Sequence, residues 1–332
     1  MSVRRDLLQI AAFAVAVAVL ASTARSGVVL NFAMMALYAC LMAQSWNLLG
    51  GYGGQFSFGH ALFFGTGAYA QAIAQVQGHL GAWVAFPVAI VAAVLVGVVV
   101  GALCFRYGLR GSYFALVTLA FAEVFRILAL SVPFTGAGVG LMVPLHEGLA
   151  NMQFADRRGF VWIALVLVLL GLLATTGLRH SRFGAWLQAV RDNEDAARAI
   201  GVDPFRVKVG AIALSAGFMG AAGALYVQVF QYLDPGLAYG PGTSIEALVA
   251  AIVGGLGTLW GPVVGALVLN LLADGTRSLF GALPGINMVI YGAVLVLIVT
   301  FAPRGLVGMG HSVRALWKRA SLAHAPREAT GG

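Results

Sequence analysis

Charge is what this chain has least of. Asp, Glu, Lys and Arg together make up 10% of its 332 residues, against about 25% in an average soluble domain. Lysine stops at Lys208 and Lys318, and cysteine at Cys40 and Cys104. Each scarcity closes off a class of function. A phosphate-cradling P-loop needs Gly-Lys followed by Ser or Thr, with the lysine reaching the phosphates. The two lysines here follow Val207 and Trp317, so ATP-driven work would have to use a partner. Two cysteines inside apolar runs supply neither a disulfide framework nor a metal site. His60, His79 and His146 show no ligand spacing, and neither His-Glu-x-x-His nor Gly-x-Ser-x-Gly occurs, which argues against an intramembrane protease.

Hydrophobic residues fill the space that charge leaves: they are 60% of the chain, and mean hydropathy is +0.91. Such an excess must face something other than water. Ala11–Leu20, Val88–Val100 and Val161–Leu173 carry no charge and belong to longer apolar segments; about 20 such residues cross a bilayer as a helix. The expected fold is therefore an all-α polytopic membrane protein. A formal net charge of +8 would suggest nucleic acid in a soluble protein. Here the bases gather at the ends of apolar segments, as topology requires, so no nucleic-acid partner is expected and membrane lipid is.

Apolar segments fall at 7–24, 28–49, 54–77, 82–105, 113–131, 160–178, 206–231, 244–273 and 286–302. Arg4 and Arg5 followed by an apolar run to Ala21, with small residues at 21–24, mimic a signal peptide; a second apolar segment follows at once, which favours a first span. The 179–208 stretch carries six bases and the chain after Ala302 carries five, placing both in the cytoplasm by the positive-inside rule. Arg157 and Arg158 are a local exception in an outer loop. Starting inside, six crossings return the chain to Arg179 and 206–231 goes out. One of the two remaining segments must then enter and leave on the same side. GGLGTLWGP, Gly254–Pro262, interrupts 244–273 and leaves about ten apolar residues on either side, too few to span. The expectation is about eight transmembrane helices plus a re-entrant hairpin at 244–273, with both termini cytoplasmic. This gives a membrane domain over 1–305 and a basic cytoplasmic tail over 306–332.

The stretch GGYGGQFSFGH, Gly50 to His60, shares the pattern GGxG with the hairpin: Gly50, Gly51 and Gly53 (with Gly54 beside them) match Gly254, Gly255 and Gly257. Glycine frees the backbone and lets helices approach. These glycines are expected to loosen or tightly pack the start of the 54–77 helix. Gln55, Ser57 and His60 would then face protein or a water-filled path, with interhelical hydrogen bonding the plainer role for Ser57 and His60. Intramembrane charge is rare and faces a partner or cavity. Glu123, three residues before Arg126, is expected to pair with it or across helices; as a functional reading it lines a path. Thr118 and Glu246 complete the candidate path, with a cap in the outer headgroup region as the other reading of Glu246. In 206–231, Ala213, Gly217 and Ala221 form one small-residue face and Ala216, Gly220 and Ala224 another.

The inner stretch RHSRFGAWLQAVRDNEDAARAIGVDPFRVK is the most charged part of the chain. Ala185, Ala189, Ala196, Ala197 and Ile200 fit short helices with one apolar face. Asp192 or Asn193 can cap a helix through Ala199, Gly201 ends it, and Pro204 follows. Glu194-Asp195-Ala196-Ala197-Arg198, with Gly201 four residues after Ala197, resembles the coupling motif of ABC-importer permeases. In order along the chain, Trp46–Ala70, Leu109–Val124, Gly223–Tyr226, Glu246–Ala266 and Phe301–Gly308 resemble the LivM-type permease of high-affinity branched-chain amino-acid importers, over residues 30–308. The chain departs from that family at TGAGVGL, Thr135–Leu141, which lacks a polar Ser-Asp pair often seen there.

What the resemblance implies is a non-enzymatic permease subunit of the bacterial inner membrane. It would be paired with a related LivH-type permease, driven by two ABC ATPases that use ATP and magnesium, and fed by a periplasmic binding protein. No cofactor would be bound by this chain. Glu194, Asp195, Ala196, Ala197, Arg198 and Gly201 would couple to an ATPase, and transport would proceed by alternating access. The same class carries urea, amides or aromatic acids as alternatives to branched-chain amino acids. A proton-coupled secondary transporter using Glu123 is the rival class; it leaves the 179–208 helix without a purpose.

Overall fold

The structure is a computed structural model that describes residues 3–280, 286–301 and 305–308. Six long helices come first: α1 (Val3–Thr23), α2 (Gly27–Trp46), α3 (His60–Val76), α4 (Ala82–Arg106), α5 (Gly111–Ser131) and α6 (Arg157–His180). Two short ones, α7 (Arg182–Asp192) and α8 (Glu194–Ala199), lead to α9 (Pro204–Phe230), α10 (Pro235–Tyr239), α11 (Pro241–Gly254), α12 (Gly261–Phe280) and α13 (Ile286–Phe301). Among the described residues, seven stretches are long and apolar enough to cross a membrane: α1, α2 extended to Tyr52, α4, α5, α6, α9, and α10 joined to α11. The chain is an all-α, multi-pass membrane protein. Helices α3 and α13, with 17 and 16 residues, are shorter.

Burial sorts these helices into an axis and a shell. Every residue of α2 and its extension from Ala36 to Gly53 is buried, and α6, α9, α11 and α12 surround it. In α1 only Asp6, Ile10 and Ala21 are buried, as befits a helix facing lipid over most of its surface. Helix α9 lies against both α3 and α4 on small residues. A Cβ on Gly67 would collide with the Gly220 backbone, one on Gly223 with the Phe64 carbonyl, and one on Gly97 with Ala216. Without a hydrophobic drive between helices in lipid, such close approach is what holds them together. Of the two small-residue faces of α9, Ala216–Gly220–Ala224 is the packed one. Ala213 and Gly217 instead line an apolar groove with Ile90, Val94 and Leu167.

Two expectations need correction. The 54–77 helix begins only at His60. The glycines lie before it, in a π-helical turn over Asn47–Tyr52 that ends α2 and in an irregular stretch to Gly59, so they break the end of one helix rather than loosen the start of the next. The arms of the 244–273 hairpin are also longer than ten residues. Helix α11 has 14 residues and α12 has 20, because the apolar pattern of α12 runs past Ala273 and α10 extends α11 upstream. The tip over 255–260 therefore reaches the end of the bundle that carries α7 and α8, called here the basic end. Gly305, just after α13, packs on Gly255. The α10–α11 arm, 20 residues long, is thereby long enough to cross a membrane, where the expectation was an arm too short to span.

At the opposite end, two short strands, β1 (Leu141–Met142) and β2 (Tyr232–Leu233), pair antiparallel. Arg158, one of the misplaced bases, donates to the Ala24 carbonyl at the end of α1 at 2.7 Å, which gives this outer-loop charge a structural use. The tail expected over 306–332 lies outside the described residues beyond Gly308.

Candidate functional site

The first glycine break creates a buried polar centre. Where α2 ends, the Trp46 ring covers Gly50, leaving no room for a Cβ there, and its Nε1 donates to the Ser57 carbonyl at 2.8 Å. The chain turns at Gly54, φ +65°, a left-handed conformation suited to glycine. Gln55, which is buried, donates back to the Gly53 carbonyl at 3.3 Å. Ser57 Oγ donates to Thr118 Oγ1 on α5 at 3.3 Å and accepts from the Gly59 N–H. His60 Nε2 lies 2.9 Å from Ser215 Oγ on α9. Ser215 in turn donates to the Ser45 carbonyl on α2 at 2.7 Å, and Ser45 Oγ donates to the Ser215 carbonyl at 2.8 Å. Helix α3 has no side-chain cap of its own; Ser244 on α11 accepts the Ala61 N–H at 2.7 Å instead.

Neutral hydroxyls and one imidazole thus tie five helices together at a single level. Ser57, His60 and Thr118 meet here, as three of the expected path residues. Ser45, Ser215 and Ser244, which complete the centre, were not singled out from sequence; the available signal was a serine inside or at the edge of an apolar segment.

Glu123 has a partner of its own. Glu123 lies on another face of α5, gripped by Arg126 through two hydrogen bonds of 2.6 and 2.8 Å; the two side chains are 45% and 30% exposed respectively. This is the i, i+3 pair expected on structural grounds. Glu246, half-buried, is the sixth residue of α11. The N-cap of that helix is Gly240, so Glu246 does not cap it.

The second break packs on the first. Asn47 in the π-helical turn accepts the Gly257 N–H at 2.8 Å and donates to the Thr258 carbonyl at 3.0 Å, satisfying backbone that the hairpin tip leaves open. Gly255 and Gly257 have φ of +127° and +66°, and a Cβ on Gly51 would meet the Gly257 nitrogen. A Cβ on Gly254 would strike the Gly261 carbonyl across the hairpin. Irregular backbone persists here because the two breaks bury each other and Asn47 satisfies the open backbone groups. Arg191 of α7 closes the junction: its Nη1 donates to the Gly51 carbonyl at 3.1 Å and its stem covers Gly54. Trp260 anchors the tip to α1, donating to Gln9 Oε1 at 3.0 Å.

The segment resting on this junction is built by its caps. Ser181 accepts from Gly184 N–H at the start of α7. Asn193 accepts from Asp195 and Ala196 at the start of α8. Gly201, φ +88°, ends α8 as a left-handed residue, and Asp203 caps α9 with Pro204 in its first turn. The apolar face differs from the expected one: Gly184, Leu187, Val190 and Ala197 are buried, while Ala185, Ala196 and Ile200 are exposed. Larger side chains three residues apart, Leu187 and Val190, take the inward face from the alanines. Arg179 and His180, at the end of α6, reach the buried Asp6 on α1 at 3.1 and 3.4 Å.

Comparison with known proteins gives this architecture its relatives. Residues 28–299 match the family model described as branched-chain amino acid transport system / permease component. The high-affinity branched-chain amino acid transport system permease protein LivM of Salmonella typhimurium is 28% identical, covering 93% of this chain and 76% of that protein; LivM of Escherichia coli K12 gives the same figures. The corresponding LivH of E. coli K12 is 26% identical, covering 51% of this chain and 53% of LivH. No solved structure matches the chain significantly. The breadth of the family match, across the central helices, both glycine breaks and the capped basic-end segment, shows that the chain belongs to the permease-component family of branched-chain amino acid transport systems.

Proposed function

We propose that this chain is one half of a permease pair in an ATP-binding-cassette importer. It moves branched-chain or related hydrophobic amino acids across the inner membrane by alternating access. A related LivH-type permease forms the other half, two ATPase subunits bind and hydrolyse ATP with magnesium, and a periplasmic binding protein delivers substrate at the β1–β2 end. The observation that carries this reading is the α7–α8 segment. It is capped and fixed to the bundle on one face, and on the other it offers Trp186 and Ile200 outward at the basic end, with Phe205 of α9 beside them and Ile200 76% exposed. A short helix with outward apolar anchors suits a groove on a partner. Ala196, Asp195, Arg198 and Gly201 belong to that outward surface; Ala197 packs inward.

The partly exposed Glu123–Arg126 pair supports the second permease, since hydrocarbon penalises charge strongly and a partner helix or a wet path between two subunits does not. Gln55, Ser57, His60, Thr118, Glu123 and Glu246 are proposed to border that path, with the glycine breaks at its basic end. Residues 1–305 form the permease domain in this reading, with 306–332 a cytoplasmic tail. When the ATPases close, they drag α8, and α9 slides against α3 and α4 on its small-residue contacts.

The test is co-purification from detergent-solubilised membrane, then reconstitution. A related permease and two P-loop ATPases are expected to accompany the chain, and leucine uptake is expected to require ATP. A chain that purifies alone and transports without ATP overturns the proposal.

A further inference from the structure

In the motif that suggested a docking helix, one residue faces the wrong way to dock. Glu194 opens α8, yet its side chain is only 13% exposed, while those of Asp195 and Arg198 on the same helix are 79% and 61% exposed. Its carboxylate turns into the bundle. One oxygen binds Lys208 Nζ at 2.5 Å and Arg110 Nε at 3.1 Å; the other lies 3.5 Å from Arg198 Nη2. Lys208 is on the first turns of α9, and its side chain is 4% exposed. Its ammonium also sits 5.6 Å from the centre of the Phe105 ring at the end of α4. Arg110 is the N-cap residue of α5. One carboxylate therefore joins α8 to the starts of α9 and α5 and, through Lys208, to the end of α4.

The two helices whose starts it joins are two of the five tied at the buried polar centre, α9 through Ser215 and α5 through Thr118. We infer that Glu194 is a positioning residue that transmits movement of α8 to α9 and α5, and that it makes no contact with the ATPase. This rests on the importer reading above. The physical basis is stiffness. A buried ammonium has few acceptors to exchange with, and a carboxylate held by two cations from different helices must move with both. Asp195 and Arg198, which point outward, are left to meet the partner. A purely structural role for the same ions makes a different prediction. Replacing a buried ion pair by neutral groups of similar size often leaves a fold as stable as before, so structure alone would be restored by removing both charges together.

The experiment uses the reconstituted complex with its ATPases, and reads leucine transported per ATP hydrolysed. Glu194→Gln is expected to keep the ATPases bound and their hydrolysis within about twofold of wild type, while transport per ATP falls at least tenfold. Glu194→Gln with Lys208→Met is expected to restore protein yield without restoring that ratio. Recovery of the ratio in the double variant overturns the inference in favour of a structural role, and loss of the ATPases from Glu194→Gln overturns it in favour of a docking contact. A wild-type complex that transports without ATP overturns the importer reading itself. A measurement on the chain alone covers poor yield of the complex. Spin labels at Asp195→Cys and Tyr107→Cys, both exposed positions, are expected to give a narrow distance distribution that broadens with Glu194→Gln; an unchanged distribution overturns the inference.

Discussion

The molecule joins its helices in two different ways at two levels. In the middle, Ser45, Ser57, His60, Thr118, Ser215 and Ser244 tie α2, α3, α5, α9 and α11 with neutral hydrogen bonds. Glycines bring α3 and α9 among them into backbone contact. At the basic end the ties are ionic: Asp6 with Arg179 and His180, Glu194 with Lys208 and Arg110, and the Arg191 guanidinium on the Gly51 carbonyl. Interhelical hydrogen bonds within a membrane average only about 0.6 kcal/mol, so each central tie is easily exchanged for another. A buried ion that loses its partner is far more costly, about 3–5 kcal/mol. The contrast teaches a division of labour, with a centre able to shift and an end able to pull.

Substitutions can break or sharpen this comparison. The largest effect is expected where neither kind of tie is involved. Gly223→Val places side-chain atoms against the Phe64 carbonyl, and backbone cannot give way as a side chain can. Overpacking costs about 1–3 kcal/mol or more, so folded protein in the membrane should fall sharply, as fluorescence-detected size exclusion would show. Next comes Arg191→Ala, which uncovers Gly54 and frees the Gly51 carbonyl. We expect transport to fall about tenfold with assembly retained, and protease sensitivity to rise near the hairpin tip. If Arg191→Ala behaves as a surface change, the basic end is not the stiff region.

Ser215→Ala removes the hydroxyl's bonds to the Ser45 carbonyl and to His60, leaves the Ser45 hydroxyl on the carbonyl of residue 215, and should cost about 1 kcal/mol, seen as a small shift in thermal unfolding. A loss several times larger would show that the centre is as rigid as the end. The smallest effect on the fold is expected from Glu123→Gln. Its carboxylate is outside the packed core, so yield should stay unchanged while recovery of the second permease in a pull-down decreases.

Much of the frame was legible because it rests on local rules. Apolar run length marked the helices, loop charge required a hairpin in the last third, and Asn193, Gly201 and Pro204 announced the boundaries of α8 and α9 by capping chemistry. What stayed hidden depends on distance along the chain. Asn47 meets Gly257 across 210 residues, and no local pattern signals that the two GGxG stretches pack on each other. Glycine spacing alone also cannot distinguish the broken end of α2 from a loosened start of α3. In α7 the alanines fitted a helical face equally well, and only packing shows that Leu187 and Val190 take it. The inward turn of Glu194 was masked by its neighbours, since Asp195 is equally acidic and points outward.

The most direct test of the account is site-specific photo-crosslinking from Ile200, the apolar residue that stands furthest out on the basic-end segment, in membranes containing the whole complex. The account predicts a crosslink to a P-loop ATPase subunit, strengthened or weakened by ATP. Crosslinks to lipid alone, or no adduct with an ATPase in either nucleotide state, would contradict it.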